Sequence, residues 1–516
     1  MGQAYEALLL QDYGAAQAAE TEQVLWKTVF YRVIAEFRAR IHKAVAAGDK
    51  QREALRKVRS AFLHFLCCAE AFYQALAAKL QAVYGSVGYE LSPAEASALG
   101  AALSPAAVPP PSEAPHDCRP SVCRCLICLG DLARYGAAEA EDGGQKDWSR
   151  AERFYQLAAD IFPEGGNAHN QLAVLATYAD AELPAVVHYF RSLAAPQPFP
   201  VARQNLAMLF EQNRVRYEAL GPPVNTAADE CARDAPRDRE RSKVPVLRLL
   251  AEMSTRFVRL HGILFTRVSL DAAPGVAAAA LADLDALLAR SSATRASDAH
   301  HGAAKRSDAA LLQLAAAAAF AGNHASWSPE GQRPGFSEVL QRAELRRHAM
   351  GLAFGLAARL TAAAARLGNA EEEAAGALAR SPLLPPLHVL LQWLTLQPEM
   401  GGPPQQPDGA EAKARADLFE ALARLVPPAA TGAPAGGPGV AAAGAAALPE
   451  DWGLRAFGPL AKAHEALQFQ QPVSRAVEGP LRLRRLLASV DNEQDDDEEV
   501  IVYAPVRGSV AAPQAA

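Results

Sequence analysis

Two stretches of the chain, 34 residues apart, carry small and aromatic residues at matching positions. The first stretch has Ala151, Tyr155, Ala158 and Pro163, and the second has Ala185, Tyr189, Ser192 and Gln197. A period of this length is typical of paired helices, in which small residues let two helices approach closely and an aromatic ring fills the gap between them. The repeat therefore predicts a stack of helical hairpins.

The N-terminal region predicts two long amphipathic helices. Apolar residues recur every three or four positions from 21 to 47 and again from about 51 to 84, which is the spacing of one helix face. The stripe of the first helix consists of Trp26, Phe30, Val33, Phe37 and Ile41. Gly48 and Asp49 predict the turn between the helices, and Gly85 predicts the end of the second.

The composition favours an all-α fold. Half of the residues are apolar but only 7% are aromatic, and alanine, the best helix former, supplies much of the balance. The chain has 516 residues, more than one hydrophobic core usually serves, so more than one folding unit is expected. The net charge is −6, whereas a domain that binds nucleic acid over much of its surface usually has an excess of basic residues. Any contact with RNA is therefore expected to involve only a small basic region.

Three segments have compositions that predict disorder, because they cannot bury enough apolar surface to become ordered. They are the Ser/Ala/Pro-rich loop 91–119, the Ala/Pro/Gly linker 427–447 and the acidic tail 491–516. The folded parts predicted around them are a first domain over 1–215, a helical hairpin domain over 216–426 and a C-terminal helical segment over 448–490.

The cysteines and the missing enzyme motifs limit the function classes. Seven cysteines, an odd number, suit a reducing compartment, and no uninterrupted apolar run predicts a membrane segment. Cys118, Cys123, Cys125 and Cys128 invite a zinc site, but their spacing is not that of two paired knuckles. We predict buried thiols, no metal, no cofactor and no enzymatic activity, since the sequence also lacks the phosphate-loop, zinc-protease and nucleophile-elbow motifs.

Several short motifs carry a family resemblance. The segments that carry it, in chain order, are Cys125–Tyr135 (CLICLGDLARY), Gly166–Ala176 (GNAHNQLAVLA), Tyr189–Ala194 (YFRSLA), Pro198-Phe199, Asn205-Leu206 and Leu448–Trp452 (LPEDW). Their order and spacing resemble the SMG/Ever-Shorter-Telomere family of nonsense-mediated decay adaptors and telomerase-associated Est proteins. The resemblance covers about 1–214 and 448–490.

This resemblance implies a 14-3-3-like, tetratricopeptide-type N-terminal domain that binds phosphoserine, followed by stacked helical hairpins. The implied partner is the phosphorylated Upf-type RNA helicase, and the implied output is recruitment of a sister SMG adaptor, decay enzymes or a phosphatase. We favour the branch without a PIN nuclease. The alternatives are an Est-type subunit that binds telomerase RNA or telomeric single-stranded DNA, and a scaffold for unphosphorylated partners.

Arg134 and Tyr135 occupy the positions of the family's phosphate-contacting motif. A guanidinium suits a phosphate because its planar fork pairs with two oxygens at once, although Arg134 at a helix end could equally complement the helix dipole. The family's second ligand, a lysine, aligns with Tyr31, so Arg32 is the expected substitute unless it is only a solvated surface charge. Because a shift of one residue rotates a side chain by about 100°, the two positions are not equivalent.

Three further residues are candidates for a peptide groove. Asn170 and Gln171 carry amides that both donate and accept hydrogen bonds, and Arg191 adds a cation. Hydrogen bonding within the helical stack is the other interpretation of the two amides. A decay adaptor is expected in the cytoplasm, with shuttling to the nucleus if the telomere role applies.

Overall fold

A computed structural model gives the fold. The structure describes residues 2–47, 52–100, 116–140, 146–220, 246–294, 301–326, 335–368, 378–402, 406–425, 445–469 and 473–490. Within these ranges the chain forms helices and no β-strand, with two isolated backbone bridges between Gly165 and Gln197 and between Ala446 and Gln468. The all-α prediction is confirmed. The acidic tail 491–516 and most of the linker 427–447 lie outside the described residues.

The chain divides into two compact units. One comprises Met1–Ala181 and Arg191–Gln204, and the other comprises Glu182–Phe190 and Asn205–Ala516. The boundary predicted between 215 and 216 falls inside the helix Val201–Ala219. The other predicted domain limits stay a prediction.

Eleven described helices precede residue 220. In chain order they are α1 Gly2–Gln11, α2 Tyr13–Ala18, α3 Thr21–Leu25, α4 Arg32–Ala46, α5 Arg52–Tyr84, α6 Pro93–Leu99, α7 Arg119–Glu139, α8 Ser149–Ile161, α9 Gly166–Tyr178, α10 Glu182–Ala194 and α11 Val201–Ala219. A π-helical turn, Trp26–Tyr31, joins α3 to α4. In the first unit α5 packs against α4 and α7, and α8 packs against α7 and α9.

The small and aromatic positions of the 34-residue repeat are buried, as predicted. Ala151, Tyr155 and Ala158 on α8 are each at most 1% exposed, and their counterparts on α10 are at most 3% exposed. The helices α8 to α11 follow one another in the chain with short connections, and in the first unit α8 packs against α9 as the paired helices of a hairpin do.

The π-helical turn changes the buried stripe of the first long helix. Phe30, Ile34 and Ile41 are buried, whereas Val33, which the spacing predicted, is only half-buried. A π turn has more residues per turn than an α-helix, so the buried residue after Phe30 is Ile34, four positions on, and the predicted step of three to Val33 is wrong. Trp26 and Phe37 pack at the edge of the same core.

The prediction of a disordered loop over 91–119 is wrong at both ends. Helix α6 begins with a capping box in which the Ser92 side chain accepts from the Glu95 amide and Glu95 accepts from the Ser92 amide. Pro93 is the first helical residue, where a missing amide hydrogen costs nothing. Helix α7 begins at Arg119. The central part, 101–115, lies outside the described residues.

The second unit is also helical. Its described helices after α11 are Val246–Thr266, Ala273–Thr294, His301–Ser326, Phe336–Gly368, Leu384–Leu394, Pro398–Gly401, Ala410–Leu425, Pro449–Gly453, Ala461–His464 and Arg475–Val490, with short 3₁₀ turns at Leu270–Ala272 and Gly458–Leu460. Among the largest fully buried side chains of its core are Phe257, Phe354 and Trp393.

The Leu448–Trp452 segment is fixed by buried charges. Glu450 is 3% exposed and accepts from Arg482 Nε at 2.6 Å and from Arg482 Nη2 at 2.7 Å, while Arg485 Nη1 donates to Asp451 at 3.1 Å. Burial raises the pKa of Glu450, but the hydrogen bonds from Arg482 and the proximity of His388 outweigh it, so the pKa lies below its usual range. Arg482 and Arg485 are therefore held in internal ion pairs.

Three helices are long and apolar enough, by length and composition alone, to cross a membrane. They are Arg52–Tyr84, Leu270–Arg290 and Phe336–Leu367. In the third, 72% of the most apolar window is buried inside the fold, and in the other two 44% is buried. That no part of the chain spans a membrane stays a prediction.

Candidate functional site

A cavity of about 240 Å³ opens on the first unit. Side chains from α4, α5, α7 and α9, together with the residue before α8, line it. The lining residues are Arg38, Phe62, Arg134, Tyr135, Ala138, Glu139, Trp148 and Tyr178. Two guanidinium groups thus share one concave surface with aromatic rings.

Arg134 is held from behind by a carboxylate and a phenol. Its Nη2 donates to Asp131 Oδ1 at 2.8 Å, its Nε donates to the Tyr155 hydroxyl at 3.3 Å, and that hydroxyl donates to the same Asp131 oxygen at 2.7 Å. Burial lowers the pKa of Arg134, but the carboxylate and the phenol outweigh this and the pKa is raised. A guanidinium has five donor hydrogens, so these two bonds leave others for a ligand.

The packing of α7 on α8 places this group. A Cβ atom on Gly130 would lie 2.3 Å from Tyr155 Cε1, so the absence of a side chain at Gly130 lets the tyrosine ring lie directly on α7. Tyr155 is fully buried, and its hydroxyl reaches both Asp131 and Arg134. The Gly-Asp pair of the predicted motif is therefore the structural reason that Arg134 is oriented towards the cavity.

Tyr135 lies beside two cations. Arg134 Cζ is 4.6 Å and Arg38 Cζ is 5.2 Å from the centroid of its ring, both within the range of cation–π attraction. Burial, followed by the nearby Asp131 carboxylate, raises the pKa of Tyr135, while Arg134 opposes the shift. The phenol therefore stays protonated at neutral pH and can donate a hydrogen bond.

Arg38 is the second cation of the cavity, and sequence reasoning missed it. Its side chain is exposed, and among the described residues no carboxylate forms an ion pair with it. It lies seven residues after Tyr31, which is two helical turns along nearly the same face, and that spacing was the signal that could have identified it. Arg32 is exposed and does not line the cavity. Tyr31 is 43% exposed.

One wall of the cavity is acidic but already paired. Glu139 accepts from Arg59 Nε at 3.3 Å, and both side chains are largely buried. The cavity and the groups directly behind it therefore hold three guanidiniums against two carboxylates. The local charge is positive, although the chain as a whole is acidic.

The predicted groove residues lie apart from the cavity lining. Asn170 is buried at 4% exposure on α9, where a hydrogen-bonding role within the stack fits better than contact with a peptide, and Gln171 is half-buried. Arg191 is half-buried on α10, and burial lowers its pKa to about 10 although Asp160 opposes the shift. Their binding role stays a prediction.

The four clustered cysteines are buried on or beside α7. Cys118, Cys123, Cys125 and Cys128 are each at most 5% exposed, and burial raises the pKa of Cys123 to about 12. In the described part of the chain, no group of three or more histidine, cysteine or acidic side chains is placed to hold a metal ion. Since the thiolate is the form that binds metals, these thiols contribute to the core as small apolar groups.

Two family models match the chain. The model described as the Est1 DNA/RNA binding domain matches residues 151–464, and that of telomerase activating protein Est1 matches residues 20–139. Together they match parts of both compact units.

Named relatives point to the same group. The chain is 28% identical to nonsense-mediated mRNA decay factor SMG7 of Arabidopsis thaliana, over 94% of this chain and 48% of that protein. It is 26% identical to telomerase-binding protein EST1A of Danio rerio, over 56% of this chain and 20% of that protein. The chain thus spans between a fifth and about half of the length of these relatives.

A solved structure shares the fold. One chain of the crystal structure of Est1 and Cdc13 superposes with a TM-score of 0.62 at 13% identity, over 95% of this chain and 89% of that chain. At an identity this low, the superposition shows the fold alone. That fold is the predicted 14-3-3-like, tetratricopeptide-type fold followed by stacked hairpins, and the prediction is confirmed. Since one family model alone covers more than half of the sequence, the chain belongs to the SMG/Est1 family.

Proposed function

We propose that the chain is a non-enzymatic adaptor of nonsense-mediated mRNA decay that binds phosphoserine in an Upf-type RNA helicase. One observation carries the proposal: Arg38 and Arg134 line the same cavity, and both guanidiniums lie against the ring of Tyr135. Relatives that are themselves named decay factors support the cellular role.

The chemistry of the cavity suits a phosphate group. A phosphoserine carries a charge of about −2 near neutral pH and presents three acceptor oxygens. Arg134 is oriented by Asp131 and Tyr155, so little of its side-chain freedom remains to be lost on binding. Arg38 is exposed and can move onto the bound phosphate. Tyr135, whose ring lies against both guanidiniums, supplies a hydroxyl donor.

The proposed output is the assembly of a decay complex. After binding the phosphorylated helicase, the chain would recruit a sister SMG adaptor, decay enzymes or a phosphatase, and it would act in the cytoplasm with shuttling to the nucleus. Helical repeat surfaces bind other proteins in this way without chemistry of their own.

Fluorescence anisotropy of the full chain tests the proposal. A fluorescein-labelled peptide with a central phosphoserine-glutamine pair is titrated beside its unphosphorylated twin, for the wild type and for Arg134→Glu. We expect binding that depends on the phosphate and is lost in the variant. Circular dichroism of the variant confirms that it is folded. Equal binding of the two peptides by the wild type would overturn the proposal.

A second candidate function is that of a telomerase-associated subunit. The family model that matches 151–464 is described as a DNA/RNA binding domain, and one relative is named a telomerase-binding protein. The basic stretch 475–485 and the charged loop 233–243 are the candidate contact segments. In the first, Arg482 and Arg485 are engaged in internal ion pairs, and the second lies outside the described residues. Salt-dependent binding of telomerase RNA or telomeric single-stranded DNA by the isolated chain would favour this candidate.

A further inference from the structure

The cavity has a second surface that the two arginines do not explain. Trp148 and Tyr178 form an aromatic pair on its wall, with ring centroids 5.5 Å apart and planes inclined by 42°. Tyr178 is 54% exposed and Trp148 is half-buried. Aromatic rings that are partly open to solvent at the mouth of a cavity offer apolar contact area at a low cost in side-chain entropy.

The positions of these rings are fixed relative to the cations. Trp148 immediately precedes α8 and Tyr178 is the last residue of α9, and the two helices pack against each other. Helix α8 also carries Tyr155, the phenol that accepts from Arg134. The same helical hairpin therefore positions the aromatic pair and the guanidinium.

The cavity is larger than a phosphate requires. An engineered apolar cavity of about 150 Å³ accommodates benzene, which has six heavy atoms. A phosphate group has five, whereas this cavity measures about 240 Å³. Trp148 and Tyr178 line part of this cavity, and an apolar group that packs against their rings is favoured because its surface is removed from water.

We infer that Trp148 and Tyr178 form a side-chain subsite that selects an apolar residue within two positions of the phosphoserine. This inference rests on the proposed phosphoserine function and specifies which phosphorylated segments the chain prefers. In an extended peptide neighbouring residues lie about 3.4 Å apart along the strand, so a side chain one or two positions away reaches the same cavity. The cations then give phosphate dependence and the rings give sequence preference.

The test uses the full chain and labelled phosphoserine-glutamine peptides, in which glutamine keeps position +1, that carry either leucine or serine at the positions −2, −1 and +2, one position at a time. We expect the wild type to bind one leucine peptide about tenfold more tightly than its serine counterpart, the gain expected from burying one aliphatic side chain. Tyr178→Ser should abolish this preference while binding still depends on the phosphate.

Val45→Ser is the matched control, because Val45 is on a helix of the same unit, has the same 54% exposure and does not line the cavity. It should keep the leucine preference. A wild type that binds phosphopeptides without preferring leucine at any position overturns this inference alone. Binding that ignores the phosphate overturns the proposed function instead. A preference that survives in both Tyr178→Ser and Trp148→Ser also excludes the aromatic subsite.

Discussion

Arg134 is mostly buried and yet lines a cavity. Only 14% of its side chain is exposed, and Asp131, the carboxylate that pairs with it, is 12% exposed. Removing two charges from water is costly, and the pair is tolerated because Tyr155 completes the hydrogen bonding of both groups. The arrangement holds a cation in one orientation before any ligand arrives.

Replacing Asp131 by asparagine should therefore damage both stability and binding. The variant leaves a buried guanidinium without its countercharge, and we expect a loss of about 3 kcal/mol in the free energy of unfolding. Urea unfolding followed by circular dichroism measures it. Tyr155→Phe removes one hydroxyl and keeps the ion pair, so the free energy of unfolding of this variant should fall by only about 1 kcal/mol. Equal losses in the two variants would contradict the assigned role of the carboxylate.

The choice between Arg38 and Arg32 is also a question about single residues. Both side chains are exposed, but only Arg38 lines the cavity. Arg38→Ala should weaken phosphopeptide binding about tenfold, the effect of losing one charge-assisted hydrogen bond. Arg32→Ala, six residues away, should change the affinity less than twofold. Anisotropy titrations of both variants measure this, and the reverse order would return the role to Arg32.

At the scale of helices, sequence periodicity predicted several elements of the chain. The spacing of apolar residues placed α5 to within one residue at each end, and the repeat identified the buried positions of α8 and α10. It missed α6, since the Ser-Ala-Pro composition concealed a capping box. It also missed the π turn, because a change in residues per turn has no compositional signal.

The second cation was not found because only the residue next to the motif position was considered. Counting from the motif position at Tyr31 led to its neighbour Arg32, whereas contact with the cavity is made two turns later by Arg38. Trp148 and Tyr178 carry no signal in sequence, because they come together only when α8 packs against α9. Local spacing predicts the faces of helices, but a cavity depends on packing between helices.

Alanine substitutions at two glycines of α7 should change the free energy of unfolding in opposite directions, because only Gly130 packs against α8. Gly130→Ala would place Cβ 2.3 Å from the Tyr155 ring, so we expect a loss of about 2 kcal/mol in unfolding free energy from overpacking. At Gly136 the nearest atom of a neighbour is Leu66 Cδ1 at 3.9 Å, an ordinary contact. Gly136→Ala should therefore stabilise the protein by about 0.5 kcal/mol, because alanine is the better helix former.

Thermal or urea unfolding of the two glycine variants checks both signs. Phosphopeptide affinity should fall with Gly130→Ala, since Tyr155 orients Arg134. A neutral Gly130→Ala would show that α7 and α8 are not packed as closely as the structure indicates.

At the scale of the whole molecule, some charged groups are buried in pairs. In the second unit Arg256 pairs with Asp283, and Arg482 pairs with Glu450, while His261 is buried at 1% exposure beside the Phe190 ring. Such groups make the free energy of unfolding depend on pH, because the pKa of a buried group differs between the folded and the unfolded state. The sequence predicted the helical class of this unit, but not these pairs, whose members are 27 and 32 residues apart.

His261 predicts the direction of one pH effect. Burial lowers its pKa to about 4, from 6.5 in the unfolded chain. As the pH falls, the unfolded state therefore takes up a proton at a higher pH than the folded state does. The stability that the neutral, buried histidine allows is fully present above pH 6.5, and the free energy of unfolding decreases as the pH falls from there towards 4. Between pH 7 and pH 5 the loss should be about 2 kcal/mol.

Urea unfolding of the wild type and His261→Gln at the two pH values measures that loss. The variant cannot titrate there, so its decrease in stability from pH 7 to pH 5 should be smaller by this amount. An identical decrease in both proteins would show that His261 is not buried in its neutral form.

The most direct test of the central claim is a crystal structure of the full chain with a phosphoserine-glutamine peptide. The account predicts phosphate density in the cavity of the first unit, with oxygens within hydrogen-bond distance of the guanidiniums of Arg134 and Arg38. A phosphate bound elsewhere on the chain, or a peptide seated with its phosphate in solvent, would contradict it.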